Sequence, residues 1–265
     1  MPVPRGPKVR QLLTLLALRP GNLVSHDTLV DELWGKEPPR TAISTIRTHI
    51  YHLRRALERG AGQGLPPDLL GTELRGYVLR LPPDAVDAER FWRLARQGEA
   101  LCRSGRLAEG SELLSRALQL WRGDVLADVP YGVALAQHVR HLEESYIRAL
   151  QERIEADMRL GQHARVTAEL RTLVTRHPLN EWLHGQLITA LTLAGRRGDA
   201  LRAYQELREI LREELGLEPS PALQNLQRTI LTGTPQGFGQ ALGISSDLLL
   251  DASAHPGEQH LRRAS

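Results

Sequence analysis

Apolar residues recur at helical spacing along most of this chain, and one helix stands apart by what its polar side carries. Ile43, Ile46, Ile50, Leu53 and Leu57 fall three, four, three and four apart, which is one stripe of an α-helix facing a core. At about 100° per residue, the opposite side carries Thr41, Ser44, Thr45, Thr48, His52 and Arg55. Arg47 and Tyr51 lie on one flank, with Arg54 nearer the core edge. No acidic residue stands between Arg40 and Leu57. A merely solvated helix face usually mixes Glu with Lys or Arg. Small hydroxyls allow close approach to base edges and thymine methyls, and Arg and His can donate to guanine or to phosphates. The competing reading is a solvated arginine-rich face.

The flanking pattern gives this helix a setting. PKVRQLLTLLALRPG predicts a helix with Pro7 in its first turn and Val9, Leu12, Leu13 and Leu16 as its stripe, stopped by Pro20-Gly21. A short helix, DTLVDELW, starts at Ser25 or His26 with Asp27 and Thr28 near its cap. Gly35 ends it, and Pro38-Pro39 force an extended turn. Three helices with short turns, the third apolar on one side and basic on the other, describe a helix-turn-helix unit. A flexible loop, GAGQGLPPD, comes next. Two β-prone runs, Leu69 to Thr72 and Tyr77 to Leu81, are then joined by a tight turn at Leu74-Arg75-Gly76. That is a hairpin wing with Arg75 at its tip, where a guanidinium can reach a phosphate or a narrow minor groove. An ordinary surface-turn arginine is the alternative.

From Asp87 onward the pattern is helix after helix: Asp87–Ser104, Leu107–Trp121, Val133–Leu160, His163–His177, Glu181–Ala194, Asp199–Leu215 and Pro221–Leu231. Gly161 and Gly195 lie 34 residues apart, the tetratricopeptide period. In that frame Ala200 and Tyr204 take the small and aromatic packing positions, and Pro178 the closing proline. Helix pairs of this kind stack into a curved array whose concave face binds a peptide or protein, or serves to dimerise. With the hairpin followed directly by Asp84 to Glu89, no long linker separates the two parts, and they are expected to pack together. After Leu231 the chain turns rich in Gly, Ser and Pro, which predicts a disordered tail with a short helix near Ser246–Leu250.

Charge sharpens the picture. Residues 1–80 hold 12 Lys+Arg against 7 Asp+Glu, whereas residues 81–265 hold 22 against 24. A basic front and a near-neutral rear fit DNA binding at the front, where phosphate neutralisation supplies affinity. Lys8 and Lys36 are the only lysines among 34 basic residues, a bias that reads as a GC-rich genome rather than as function. Aromatics make up 4% of the chain, so the cores are to be built from Leu, Val and Ala. Cys102 is alone and reads as a buried small hydrophobe rather than a reactive thiol. No run reaches the ~18–20 apolar residues of a membrane span, and MPVPRGPKVR is unlike a secretion signal. A cytoplasmic, nucleoid-associated protein without membrane contact is expected.

Enzymatic signatures do not accumulate. Gly35-Lys36-Glu37 lacks the leading glycine and the hydroxyl of a phosphate-cradling loop. His138 and His141 lie three apart without a third metal ligand or an H-E-x-x-H pattern. No G-x-S-x-G elbow occurs, and Glu143-Glu144 and Glu213-Glu214 read as solvated helix faces. No enzyme, cofactor or metal is expected.

LVDELWG, the helix ending HIYHLRRALE, and then T-x-L-R-G-Y-x-L resemble the OmpR-type winged helix. The helical region, above all RLGQ and HPLNEWLHGQLITALTLAGRRGDALRAYQELREILREELGLEPSPAL, resembles the bacterial transcriptional activation domain. Together they resemble a Streptomyces antibiotic regulatory protein over roughly Pro7 to Leu231. The resemblance implies a mainly α fold: a winged helix-turn-helix with a small β-hairpin wing over residues 1–82, then a tetratricopeptide-like helical array over 83–232, with 233–265 as the tail. It implies a sequence-specific activator of secondary-metabolite genes that binds double-stranded promoter DNA as a homodimer and recruits RNA polymerase. Thr45, Arg47, Thr48 and His52, with Ser44, Tyr51 and Thr41 as further candidates, would face base edges, and Arg54, Arg55 and Arg75 phosphates. Members normally begin with a small sheet ahead of the first helix. Here only MPVPRG precedes it, so a late-placed start or a truncated form is expected. Neither a receiver domain nor the ATPase domain of larger members is expected. A protein–protein adaptor with impaired DNA binding, and a repressor using the same contacts, are the alternatives.

Overall fold

The computed structural model describes residues 6–60, 68–82 and 84–233. The chain forms two compact units, Met1–Arg153 and Ile154–Ser265. The tail, its short helix and most of the loop before the hairpin lie outside the described residues.

The first unit begins with α1 (Pro7–Ala17), whose first-turn proline has no N–H to leave unpaired. It buries Val9, Leu12, Leu15 and Leu16. Leu15 takes the place expected of Leu13, which stays half-buried. Ser25 caps α2 (His26–Trp34), its hydroxyl accepting from the Thr28 amide at 3.1 Å. Arg40 and Thr41 precede α3 (Ala42–Gly60). Its buried face is Ala42, Ile46, Ile50 and Leu53. Ile43, at the edge of the predicted stripe and in the first turn, is 38% exposed, and Leu57 is half-buried near the helix end.

The hairpin is β2 (Leu70–Glu73) and β3 (Gly76–Leu79), with Leu74 and Arg75 as its two-residue turn. A third strand, β1 (Val24–Ser25), was not anticipated. The antiparallel order is β1-β3-β2, with Val24 opposite Tyr77, Ser25 opposite Gly76, Leu70 opposite Leu79 and Glu73 opposite Gly76. The central strand β3 is buried at all four residues. Gly76 is required there, because a Cβ would stand 2.0 Å from the Val24 carbonyl oxygen.

Within the same unit the chain continues through α4 (Asp87–Arg103), α5 (Leu107–Leu118) and the first part of α6 (Val133–Arg159). Gly98 and Gly110 let α4 and α5 approach closely, and Cys102 is buried between them. Trp121 sits between Phe91 and Tyr146, with ring centroids at 5.7 and 4.5 Å. α2 meets the start of α6 through Glu32, a carboxylate on a 3%-exposed residue. It accepts from the Ala134 and Leu135 amides at 2.9 and 3.1 Å and from the Gly132 amide. His138 accepts from Arg19 Nε at 3.1 Å, and His141 lies against Trp92.

The second unit holds α7 (His163–Arg176), α8 (Glu181–Leu193), α9 (Arg197–Leu215) and α10 (Pro221–Thr232), stacked pairwise in sequence order. The 34-residue repeat has a backbone cause. Gly161 and Gly195 both have φ +74, and the next amide reaches back five residues, Gln162 to Asp157 O and Arg196 to Leu191 O. This is a glycine-closed helix end that launches the next helix within two residues. Gly105 does the same between α4 and α5, with Arg106 donating to Leu101 O. Ala200 and Tyr204 are buried, at 0% and 3% exposure, as the repeat frame requires. Among the described residues no helix is long and apolar enough to cross a membrane, and no three His, Cys, Asp or Glu side chains gather as a metal site.

Candidate nucleic-acid interface

α3 presents its polar side to solvent because its apolar stripe is taken up by the core of the three-helix unit. Thr41, Ser44, Arg47, Thr48, Tyr51, His52 and Arg55 are exposed, and Thr45 is half-exposed on the flank. The hydroxyls are oriented by the helix itself. Ser44 and Thr45 donate to Thr41 O at 2.8 and 3.0 Å, and Thr48 donates to Ser44 O at 3.1 Å. A hydroxyl carries one donor and two acceptor lone pairs. With the proton directed back to the helix, these three groups offer lone pairs to solvent. They suit the amino groups of cytosine or adenine in a major groove.

Tyr51 organises its neighbours. Its ring meets His52 edge-on at 5.6 Å, and the Arg55 guanidinium lies 5.9 Å from the ring centre with Nη1 donating to the Tyr51 hydroxyl at 3.5 Å. Arg47 and Arg75 are exposed and make no ion pair among the described residues. Arg75 stands at the hairpin tip, where its carbonyl accepts from the His26 amide at 2.9 Å. That bond ties the tip to the start of α2.

Arg54 differs from the expectation. Its Nε and Nη2 donate to Leu70 O at 3.1 and 2.8 Å, and Nη2 also donates to the Thr72 hydroxyl at 2.7 Å. The side chain is half-buried between α3 and β2. Rather than standing free for a phosphate, it fixes the wing to α3. Arg47 lies two turns earlier on the same flank.

Two residues of this surface escaped the sequence reading. His49 is half-buried on the flank away from Arg54, and its Nε2 finds no hydrogen-bond partner among the described residues. Burial pushes its imidazole below the ordinary value, and the charges of His52 and Lys8 act in the same direction. It sits between stripe and polar face, where periodicity assigns neither role. Leu74 is 96% exposed beside Arg75; an apolar residue at a tight turn was the available signal.

Residues 2–79 match the family model described as Transcriptional regulatory protein, C terminal, and residues 86–231 match Bacterial transcriptional activator domain. The chain belongs to the Streptomyces antibiotic regulatory protein family. This family member is a DNA-binding transcriptional regulator that joins a winged helix to an activator domain. It is 43% identical to Regulatory protein DnrI of Streptomyces peucetius, over 88% of this chain and 86% of that protein. It is 40% identical to Regulatory protein AfsR of Streptomyces coelicolor over 87% of this chain, which spans 22% of that longer protein. A solved structure of Mycobacterium tuberculosis EmbR in complex with a low affinity phosphopeptide matches 93% of the chain with a TM-score of 0.77 and 32% identity, and the match spans 65% of EmbR.

Proposed function

We propose that this regulator activates a secondary-metabolite (antibiotic) gene set by binding repeated promoter half-sites as a homodimer and recruiting RNA polymerase. The observation that carries the reading is the exposed face of α3, without an acidic residue from Thr41 to Leu57, beside a wing that Arg54 ties to it. In this reading α3 lies in the major groove, with Thr45, Arg47, Thr48 and His52 toward base edges and Ser44, Tyr51 and Thr41 alongside. Arg55 meets a phosphate, and Arg75 meets a phosphate or the narrow minor groove. Arg54 acts as the brace of the wing. The helical array supplies the contacts between protomers and to the polymerase. No catalytic step is assigned to any residue, and the site of action is the cytoplasm, where the bacterial chromosome lies.

Selection of the purified chain on a random-sequence duplex library, with a salt titration, tests this. An enriched motif present as two equally spaced copies supports the reading. No enrichment, or binding that vanishes near physiological salt, overturns it. Transcription in vitro with purified polymerase on the selected duplex then separates an activator from a repressor.

A further inference from the structure

The winged helix and α6 meet at one buried carboxylate. Glu32 lies in the last turns of α2, and Gln11 on α1 donates to both its carbonyl oxygen and its side chain, at 2.7 and 3.1 Å. The same side chain accepts from the Gly132, Ala134 and Leu135 amides. Those amides belong to the opening turn of α6, whose N–H groups have no partner inside the helix and whose dipole favours a negative charge. α1, α2 and α6 therefore converge on two oxygens. Gly132 is shaped to the contact, because a Cβ there would stand 2.5 Å from the Glu32 carbonyl oxygen.

Two other polar ties between these parts, among the described residues, are weaker. Arg10 and Asp128 pair at 3.0 Å with the aspartate 76% exposed, and exposed pairs contribute little. Arg19 reaches His138 through a single N–H. A carboxylate left buried without its donors is strongly disfavoured. The contact at Glu32 is therefore either closed, with all donors in place, or open and hydrated. α2 packs on α3, so the attitude of the recognition helix relative to α6 follows the state of this joint.

We propose that Glu32 is a positioning residue: it holds the winged helix at a fixed attitude to α6, and transcription activation depends on that attitude while half-site recognition does not. The proposal rests on the reading that α3 binds DNA and the helical region recruits polymerase. DNA contacts lie on the exposed side of α3, away from Glu32, so a loosened joint leaves them intact. It disturbs how the bound protein presents its helical part.

The test uses the full chain carrying Glu32→Gln, which keeps the shape but removes the charge and sets an amide N–H2 where an oxygen accepted. Gly132→Ala forces the same joint apart from the α6 side. Amide exchange at Ala134 and Leu135 is expected to accelerate about tenfold in both, as for loss of a local hydrogen-bonded cap. Affinity for a single selected half-site is expected to stay within about twofold. Stimulation of transcription in vitro is expected to fall about fivefold or more, the size of an ordinary coupling between sites. Unchanged exchange in both variants overturns the joint. Faster exchange with undiminished stimulation overturns its role in activation. Loss of half-site binding in proportion to stimulation in both variants overturns it also, leaving Glu32 a residue of general stability. If the unaltered chain itself fails to stimulate transcription, the activator reading fails, and the exchange arm still decides the joint.

Discussion

Three arginines on one helix separate into three duties once their partners are known. Arg47 is exposed without an ion pair among the described residues, Arg55 leans on Tyr51, and Arg54 is held by the Leu70 carbonyl and the Thr72 hydroxyl. Replacing each with alanine is expected to give three different signatures. Arg47→Ala, like His52→Ala, reduces the preference for the selected sequence, by about 1–3 kcal/mol if the contact to a base is bidentate. Arg55→Ala weakens binding to all duplexes about equally and lowers the salt slope by about one. Arg54→Ala lowers the melting temperature, because it removes three hydrogen bonds between α3 and β2. Parallel salt titrations and thermal melts distinguish them. An Arg54→Ala protein that melts like the unaltered chain and loses one phosphate from its salt slope would return Arg54 to the phosphate-binding set.

At the scale of elements, the helices were legible wherever a run of ten or more residues repeats one pattern. Ser25 opens α2, Gly161 and Gly195 close α6 and α8, and Pro221 opens α10, each by local chemistry that acts without help from distant neighbours. What could not be read is what only tertiary pairing creates. β1 is two residues long, too short for alternation to register, and exists because β3 offers it a free edge. The choice of Leu15 over Leu13, and of Ala42 over Ile43, depends on which side the neighbouring elements occupy. Arg54 could be placed near the core edge from its helical angle, but its partner in β2 is sixteen residues away and invisible to periodicity. The wing's dependence on close backbone approach is testable. Gly76→Ala sets a methyl 2.0 Å from the Val24 carbonyl oxygen, between the central strand and β1. Neither backbone can yield without breaking the Val24–Tyr77 and Ser25–Gly76 pairing. Destabilisation of at least about 2 kcal/mol is expected in chemical denaturation, the range for steric overpacking at a buried site. A protein of unchanged stability would show that β1 is dispensable to the sheet.

Across the whole molecule, one buried and three half-buried histidines give a common response to acid. His49, His138, His163 and His184 are all held below the ordinary imidazole value, with burial as the leading cause in each. His184 shows why. Its Nε2 donates to the Pro178 carbonyl oxygen at 3.0 Å, while Nδ1 is buried without a partner among the described residues, so a second proton would have no acceptor there. The Pro178 bond and the charges of Glu206 and Glu181 act upward on His184 but do not overcome burial. For a group whose folded value is depressed, the unfolded chain binds more protons as pH falls through the ordinary value of about 6.5. The histidine contribution to stability is therefore fully present above that value and is lost on acidification below it. The carboxylates of exposed Glu109 and Glu218 and of half-buried Asp199 are held low by arginines. Their contribution is lost only further down, below the carboxylate range. Urea midpoints are expected to fall between pH 7 and pH 5.5, well before those carboxylates titrate. His184→Gln retains a side-chain N–H for the Pro178 carbonyl without an imidazole, and should flatten part of that fall. The same flattening is expected whether unfolding of the full chain is followed by helical signal or by the combined fluorescence of its four tryptophans. A midpoint independent of pH over this interval would mean that the imidazoles are solvated on the time scale of the measurement and contribute no acid sensitivity.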